Sequence, residues 1–434
     1  MPNSTDALTG PASRRRFLKA SGAACATGIL AAGTPSSAQP AKAVHAKAAP
    51  AAEGKQNPRR LFSTDRQDGR FVSTTAFLHA YMKNLRPKLA FDPEMKPNDF
   101  PAWREAVRTK LRELMGFPDL DEPQPPPKRL WTKQRDGYQL QKWEAYPEPY
   151  SVAPYLMLIP DGVSARSPAP AALCFPGSAS SKESLAGELE ISGKPCSHRH
   201  ASRNDMARQY TRKGIVTVAV ENPGTNETAD PIRTGRYELS INGMWAGRHY
   251  EGISVFQKLH VLEWLKQQSY VDPDRIAASG HSLGAKPALI LGVLDPTIKA
   301  VVWNDGITNW RERAVATNLE RIGSFQYVPG MLAWLDYPDL EASLAPRPFL
   351  VSEGGRTAVL DRIRQAYRLL GAADQFKVVH YPKYATPDKR PFDGKDLPEG
   401  LTMNEYYPYA NCDPPMHHFK GNVAVPWLAK VLGA

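Results

Sequence analysis

Ile276-Ala277-Ala278-Ser279-Gly280-His281-Ser282-Leu283-Gly284-Ala285-Lys286 is the stretch on which the reading of this chain turns. It holds Gly-His-Ser-Leu-Gly, a G-x-S-x-G pattern, after a short apolar run and before an Ala/Leu/Ile run that suits a helix. A serine exposed at the end of a strand must sit on a sharp strand-to-helix turn. Side chains two residues to either side would collide across that turn, so glycine is required at 280 and 284. The Leu283 N–H, at the helix start, then points to where an oxyanion would form. Ser282 is therefore the candidate nucleophile.

Outward from this turn, short runs rich in Val, Ile and Ala alternate with helical stretches. The runs are Ala171–Phe175, Ile215–Val220, Arg275–Ser279, Ala300–Trp303, Pro348–Ser352 and Phe376–Tyr381. Between them lie the helical segments Tyr250–Gln267, Ala285–Leu294 and Asp361–Gly371. Such alternation predicts a buried parallel sheet. Three further strand-like runs precede it: Arg129–Arg135, Tyr138–Tyr146 and Tyr155–Ile159, with Asp136-Gly137 as a hairpin signal. Phe71 to Phe91 and Pro101 to Gly116 carry apolar residues at helical spacing, the second opened by proline and closed by glycine. An antiparallel lead-in followed by a parallel core predicts the α/β-hydrolase fold, with a helical extension over residues 71–127 and the catalytic domain over 128–434.

A serine hydroxyl needs a base, and the base needs a group that fixes its tautomer. In this fold the chain order is serine, acid, histidine. Only His380, His417 and His418 lie late enough, and His380 falls in a strand-like run. The loop Pro414-Pro415-Met416-His417-His418-Phe419 precedes the closing helix, and its His-x-Phe spacing favours His417. For the acid, Glu353 is favoured, with Asp305 and Asp361 as alternatives. Glu353 follows the strand Phe349-Leu350-Val351-Ser352, Asp305 follows the preceding strand, and Asp361 is expected to open the next helix. A second oxyanion donor is expected from the loop Pro176-Gly177-Ser178-Ala179, as the N–H of Ser178 or Ala179.

Trp245, Arg248, Trp303 and Trp310 lie in or near loops beyond strand ends, where they could stack on a sugar ring or hold a carboxylate. Cys196-Ser197-His198-Arg199-His200 has no partner cluster with ligand spacing, so no metal is expected. Cys174 reads as a core residue, while Cys196 and Cys412 could pair in an oxidising compartment.

The first residues read as an address. Ser13-Arg14-Arg15-Arg16-Phe17-Leu18-Lys19 fits the twin-arginine export pattern, followed by an Ala/Gly-rich run and a small-residue cleavage site at Ser36-Ser37-Ala38. Residues 1–38 are thus expected to be a signal peptide and residues 39–70 a disordered lead-in, with delivery of the folded protein to the periplasm or beyond. Removing that leader lowers the formal charge from +11 to +8, spread along the chain without an arginine-rich run. That balance argues for a small-molecule or polysaccharide partner, not nucleic acid, and no membrane association after cleavage.

Together, the opening helices, Leu114-Met115-Gly116-Phe117-Pro118, the Asp136-Gly137-Tyr138 hairpin, Cys174-Phe175-Pro176-Gly177-Ser178 and Gly280-His281-Ser282-Leu283-Gly284 resemble exported bacterial α/β-hydrolases of the acetyl xylan esterase and dienelactone hydrolase type. The resemblance implies hydrolysis of carboxylic esters, often acyl groups on plant polysaccharides, without metal or cofactor. A narrower likeness is to glucuronoyl esterases, which carry a lysine four residues after the serine that touches sugar hydroxyls. Lys286 holds that place here, although Leu283 and Ala285 depart from the arginine and glycine of those enzymes. The function expected is a serine carboxylesterase acting on acylated or uronate-ester carbohydrate. Two alternatives share the turn: a serine peptidase of the prolyl oligopeptidase type, and a non-catalytic carbohydrate-binding relative.

Overall fold

Glycine adopts positive φ at no steric cost, and Gly137, at φ +78°, closes the first hairpin. The hairpin joins β1 (Lys128–Arg135) to β2 (Tyr138–Ala145), and β3 (Ala153–Pro160) continues the antiparallel meander. The computed structural model describes residues 61–188, 203–229 and 235–434. The export signal, the lead-in up to residue 60, the Cys196–Cys412 pairing and the 196–200 cluster thus lie outside the described residues. No helix among the described residues is long and apolar enough to cross a membrane.

The core strands are β4 (Ala169–Phe175), β5 (Val216–Val220), β6 (Val271–His281), β7 (Ile298–Asn304), β8 (Phe349–Val351) and β9 (Phe376–Val378). All are strands expected from the sequence. They form one sheet in the order β1-β2-β3-β5-β4-β6-β7-β8-β9, antiparallel as far as the β3–β5 pair and parallel beyond it. Every residue of β4 is buried, because helices cover both faces. Ala171, Leu173 and Phe175 enter one core cluster, while Ala172 and Cys174 enter the cluster on the opposite face, following the two-residue period of a strand.

The Ala285–Leu294 helix is buried at all ten positions. It lies on β6 and β7 and under the Phe100–Leu114 and Tyr337–Ser343 helices, so a sequence apolar at every position but Lys286 suits it. Phe100, Val107 and Leu111, one face of the Phe100–Leu114 helix, join the same cluster as the sheet. Some boundaries differ from expectation: the helix expected from Phe71 to Phe91 runs Thr74–Asn84, and the strand expected over Phe376–Tyr381 ends at Val378. The helix expected to open at Asp361 runs Thr357–Leu369, because Val359 and Leu360 belong to its buried face together with Ile363, Ala366 and Tyr367. Asp361 is therefore in its second turn, not at its start.

Candidate active site

The parallel strands all end at one edge of the sheet, and the loops leaving that edge carry the candidate residues. Ser282 follows β6 directly, at φ +53°, an unusual value for a residue with a side chain. The strain is held by close packing across the turn. A Cβ at residue 280 would meet the Gly284 carbonyl oxygen at 1.9 Å, and one at residue 284 would meet the Phe175 carbonyl oxygen at 2.2 Å. Leu283 is the middle residue of the short helical turn Ser282–Gly284 that leads into the Ala285–Leu294 helix.

Ser282 lines a cavity of about 230 Å³ with Gly177, Ser178 and Ala179 from the loop after β4, His281 from β6, and His417 and His418 from the late loop. The expected nucleophile, base and oxyanion loop therefore meet at one place, having been separated by more than a hundred residues in the chain.

Of the three carboxylates, Glu353 is the one joined to His417. It leaves β8 fully buried, and its Oε2 lies 2.6 Å from His417 Nδ1. Asp305 Oδ1 is 4.0 Å from that nitrogen. Asp361 is corrected as a candidate, since it is paired with Arg364 at 2.7 Å on an exposed helix face. Because Glu353 accepts at Nδ1, that nitrogen carries the proton and Nε2 is left as the basic atom of the ring.

Glu353 is bonded on both oxygens. Oε2 also accepts from the Tyr381 hydroxyl at 2.5 Å, while Oε1 accepts from the Lys420 ammonium at 2.5 Å and the His418 N–H at 3.2 Å. Burial alone would raise its pKa. The hydrogen bond and charge of His417, with those of Lys420, instead hold it down at about 2. For His417, burial works toward a lower pKa, but Asp305 and Glu353 outweigh it and raise the ring to about 9. His281 is the opposite case: burial lowers it to about 3. Its ring centroid is 4.6 Å from that of His417, and neither nitrogen has a hydrogen-bond partner among the described residues.

His281, Glu353 and His417 bring three potential metal-ligand atoms within 4.8 Å of one another. The set does not suit a cation, because both Glu353 oxygens already accept hydrogen bonds and Oε1 is paired with the Lys420 ammonium.

The residues expected to bind substrate lie outside this cavity. Lys286 is buried; its ammonium bonds Gln326 and sits 4.1 Å from the Trp310 ring centroid, so its place four residues after the serine does not bring it to solvent. Trp303 is buried within β7, 6.2 Å from the Tyr337 ring. Arg248 is bound to Glu148 by two hydrogen bonds of 2.8 and 3.0 Å. Trp245 ends the Arg236–Trp245 helix and is 92% exposed. Sequence reasoning missed Lys420, Tyr381 and the Arg203 and Asn204 wall of the cavity.

The sheet order, the strained serine turn and the acid–histidine pair define an α/β-hydrolase. The chain belongs to the Abhydrolase family, whose profile matches residues 55–430. A Bacteroides fragilis NCTC 9343 protein described as a putative acetyl xylan esterase is 37% identical with a TM-score of 0.80, the match covering 85% of this chain and 97% of that one. A CE15 glucuronoyl esterase from Teredinibacter turnerae T7901 is 19% identical at a TM-score of 0.48, over 72% of this chain and 88% of that one, a likeness too distant to bear on substrate. Among curated proteins, Putative hydrolase YtaP of Bacillus subtilis (strain 168) is 26% identical over 182 residues, 39% of this chain and 59% of that protein. The chain spans about half the length of the curated relatives it matches.

Proposed function

We propose that this protein is a serine carboxylic-ester hydrolase that works through an acyl-enzyme on ester-bearing carbohydrate, as acyl or uronate esters. The observation that carries the proposal is the Glu353–His417 hydrogen bond of 2.6 Å beside a cavity that also contains Ser282 at φ +53°. Ser282 Oγ attacks the ester carbonyl carbon while His417 Nε2 takes its proton. The resulting oxyanion is received by the N–H groups of Leu283 and of Ser178 or Ala179. Collapse breaks the ester C–O bond, and the alcohol leaves with the proton from His417. Water then attacks the acyl-enzyme by the same proton route, releasing the acid and restoring Ser282. Glu353 holds the ring in the productive tautomer and stabilises the imidazolium. No step calls for a metal or cofactor. The carbohydrate side of the proposal draws on the similarity to the Bacteroides fragilis protein. The twin-arginine pattern supports work outside the cytoplasm.

The test is covalent. A fluorophosphonate probe should label the wild type and not Ser282→Ala, and p-nitrophenyl acetate turnover should fall by a factor on the order of 10³ or more in that variant. Wild-type turnover by Ser282→Ala would end the proposal. A panel of acetylated xylan, glucuronate esters, feruloyl esters and simple acyl esters would then name the substrate.

A further inference from the structure

Lys420 immediately precedes the closing Gly421–Leu432 helix, yet its ammonium turns inward beneath the histidine loop. An ammonium has three N–H donors. All three are matched here: Glu353 Oε1 at 2.5 Å, the Met416 carbonyl at 2.6 Å and the His418 carbonyl at 2.7 Å. Those carbonyls belong to the residues on either side of His417. One cation therefore ties the base's own backbone to the carboxylate that the base's ring must meet. The Lys420 ammonium also sits 5.1 Å from the Tyr381 ring centroid, and Tyr381 donates to the other oxygen of the same carboxylate. The Lys420 backbone is fixed too, its N–H donating to Asn304 Oδ1 at 2.8 Å while Asn304 Nδ2 donates to the His418 carbonyl.

We propose that Lys420 is the positioning residue of the proposed esterase site, holding the His417 loop and the Glu353 carboxylate in register and keeping the pair's net charge balanced. Without a cation, a fully buried Glu353 would leave His417 facing an uncompensated negative charge. The imidazolium would then be over-stabilised and the ring slow to return as a base. The charged and titratable groups facing His417 are Glu353 after β8, Asp305 after β7, His281 at the end of β6, Tyr381 after β9, and His418 and Lys420 of its own loop. Among the cations and carboxylates of that set, Lys420 is the one opposing the two carboxylates, and it acts on His417 toward a lower pKa.

This inference rests on the esterase proposal for its purpose, but not for its test. The His417 imidazole resonances of wild type, Lys420→Met and Lys420→Arg would be titrated by NMR, alongside pH–rate profiles on p-nitrophenyl acetate. In Lys420→Met the His417 pKa should rise further, by about one unit. The acid limb of kcat/KM should follow it, and kcat should fall roughly 10- to 100-fold with KM unchanged. Lys420→Arg should restore the limb. A folded Lys420→Met whose His417 pKa is unmoved or lowered would overturn the proposal. If Lys420→Met does not fold, Lys420→Gln replaces it under the same criteria. A wild type that neither turns over the ester nor labels with fluorophosphonate would refute the esterase reading, while the NMR titration would still decide the role of Lys420.

Discussion

Glu353→Gln is the substitution that bears hardest on the site. Gln keeps the volume of Glu353 but replaces one of the two accepting oxygens with an NH₂ group. That group must face either His417 Nδ1 and Tyr381 or Lys420 and the His418 N–H, all of them donors. The stability cost follows from linkage. Glu353 sits at about 2 against an ordinary 4.5, and at 1.36 kcal/mol per pH unit the gap is worth about 3 kcal/mol. The group's pKa is depressed on folding, so that contribution is present above pH 4.5 and is lost as pH falls from 4.5 to about 2. His417 is raised from 6.5 to about 9, so its share of the same contact is present below pH 6.5 and is lost as pH rises through 9. Urea unfolding across pH should show both slopes in the wild type and flattened slopes in Glu353→Gln. In the wild type, kcat/KM on p-nitrophenyl acetate should rise with pH through His417's titration. In the variant the limb should move to lower pH, because burial of the ring is no longer opposed by Glu353. The plateau should fall by a factor on the order of 10³–10⁴, as expected when a buried acid no longer holds its histidine. A Glu353→Gln limb at the wild-type position, or a larger fall of the plateau in Asp305→Asn, would refute the assignment.

Gly177→Ala places a Cβ 2.9 Å from His281 Nδ1 and 3.2 Å from the Ser282 Cβ; steady-state kinetics should show kcat/KM lower by about 10²-fold, at a stability cost of about 1–3 kcal/mol in urea unfolding. Asp361→Asn removes only an exposed pair with Arg364, so activity should stay within about twofold and stability within about 1 kcal/mol; a larger loss of rate would return Asp361 to the site. Replacing Arg14 and Arg15 together by lysine should leave the precursor in the cytoplasm on cell fractionation, and unchanged export would remove the twin-arginine proposal.

Much of this molecule is legible in one dimension. The runs from Ala171 to Tyr381 show their strands because a strand buried on both faces must be apolar throughout, and that composition is local. Gly280, Ser282 and Gly284 show the nucleophile turn because its steric demand falls on residues two apart, and His417 is legible from chain order. The acid was not. Glu353, Asp305 and Asp361 are alike as letters; only the fold decides that one carboxylate lies 2.6 Å from Nδ1, another 4.0 Å, and the third on an outer helix face. The packing of Lys286 and Trp303 was hidden for the same reason, since spacing places a residue on a helix or strand without saying what packs over it. Lys420 is the extreme case. Its three acceptors come from a carboxylate 67 residues away and from two backbone carbonyls, and backbone carbonyls leave no mark in a sequence. The sequence alone determined the sheet, the serine and the loop of the base. Tertiary structure decided the acid and the cation behind it, because burial and hydrogen-bond geometry arise only between segments that meet in space.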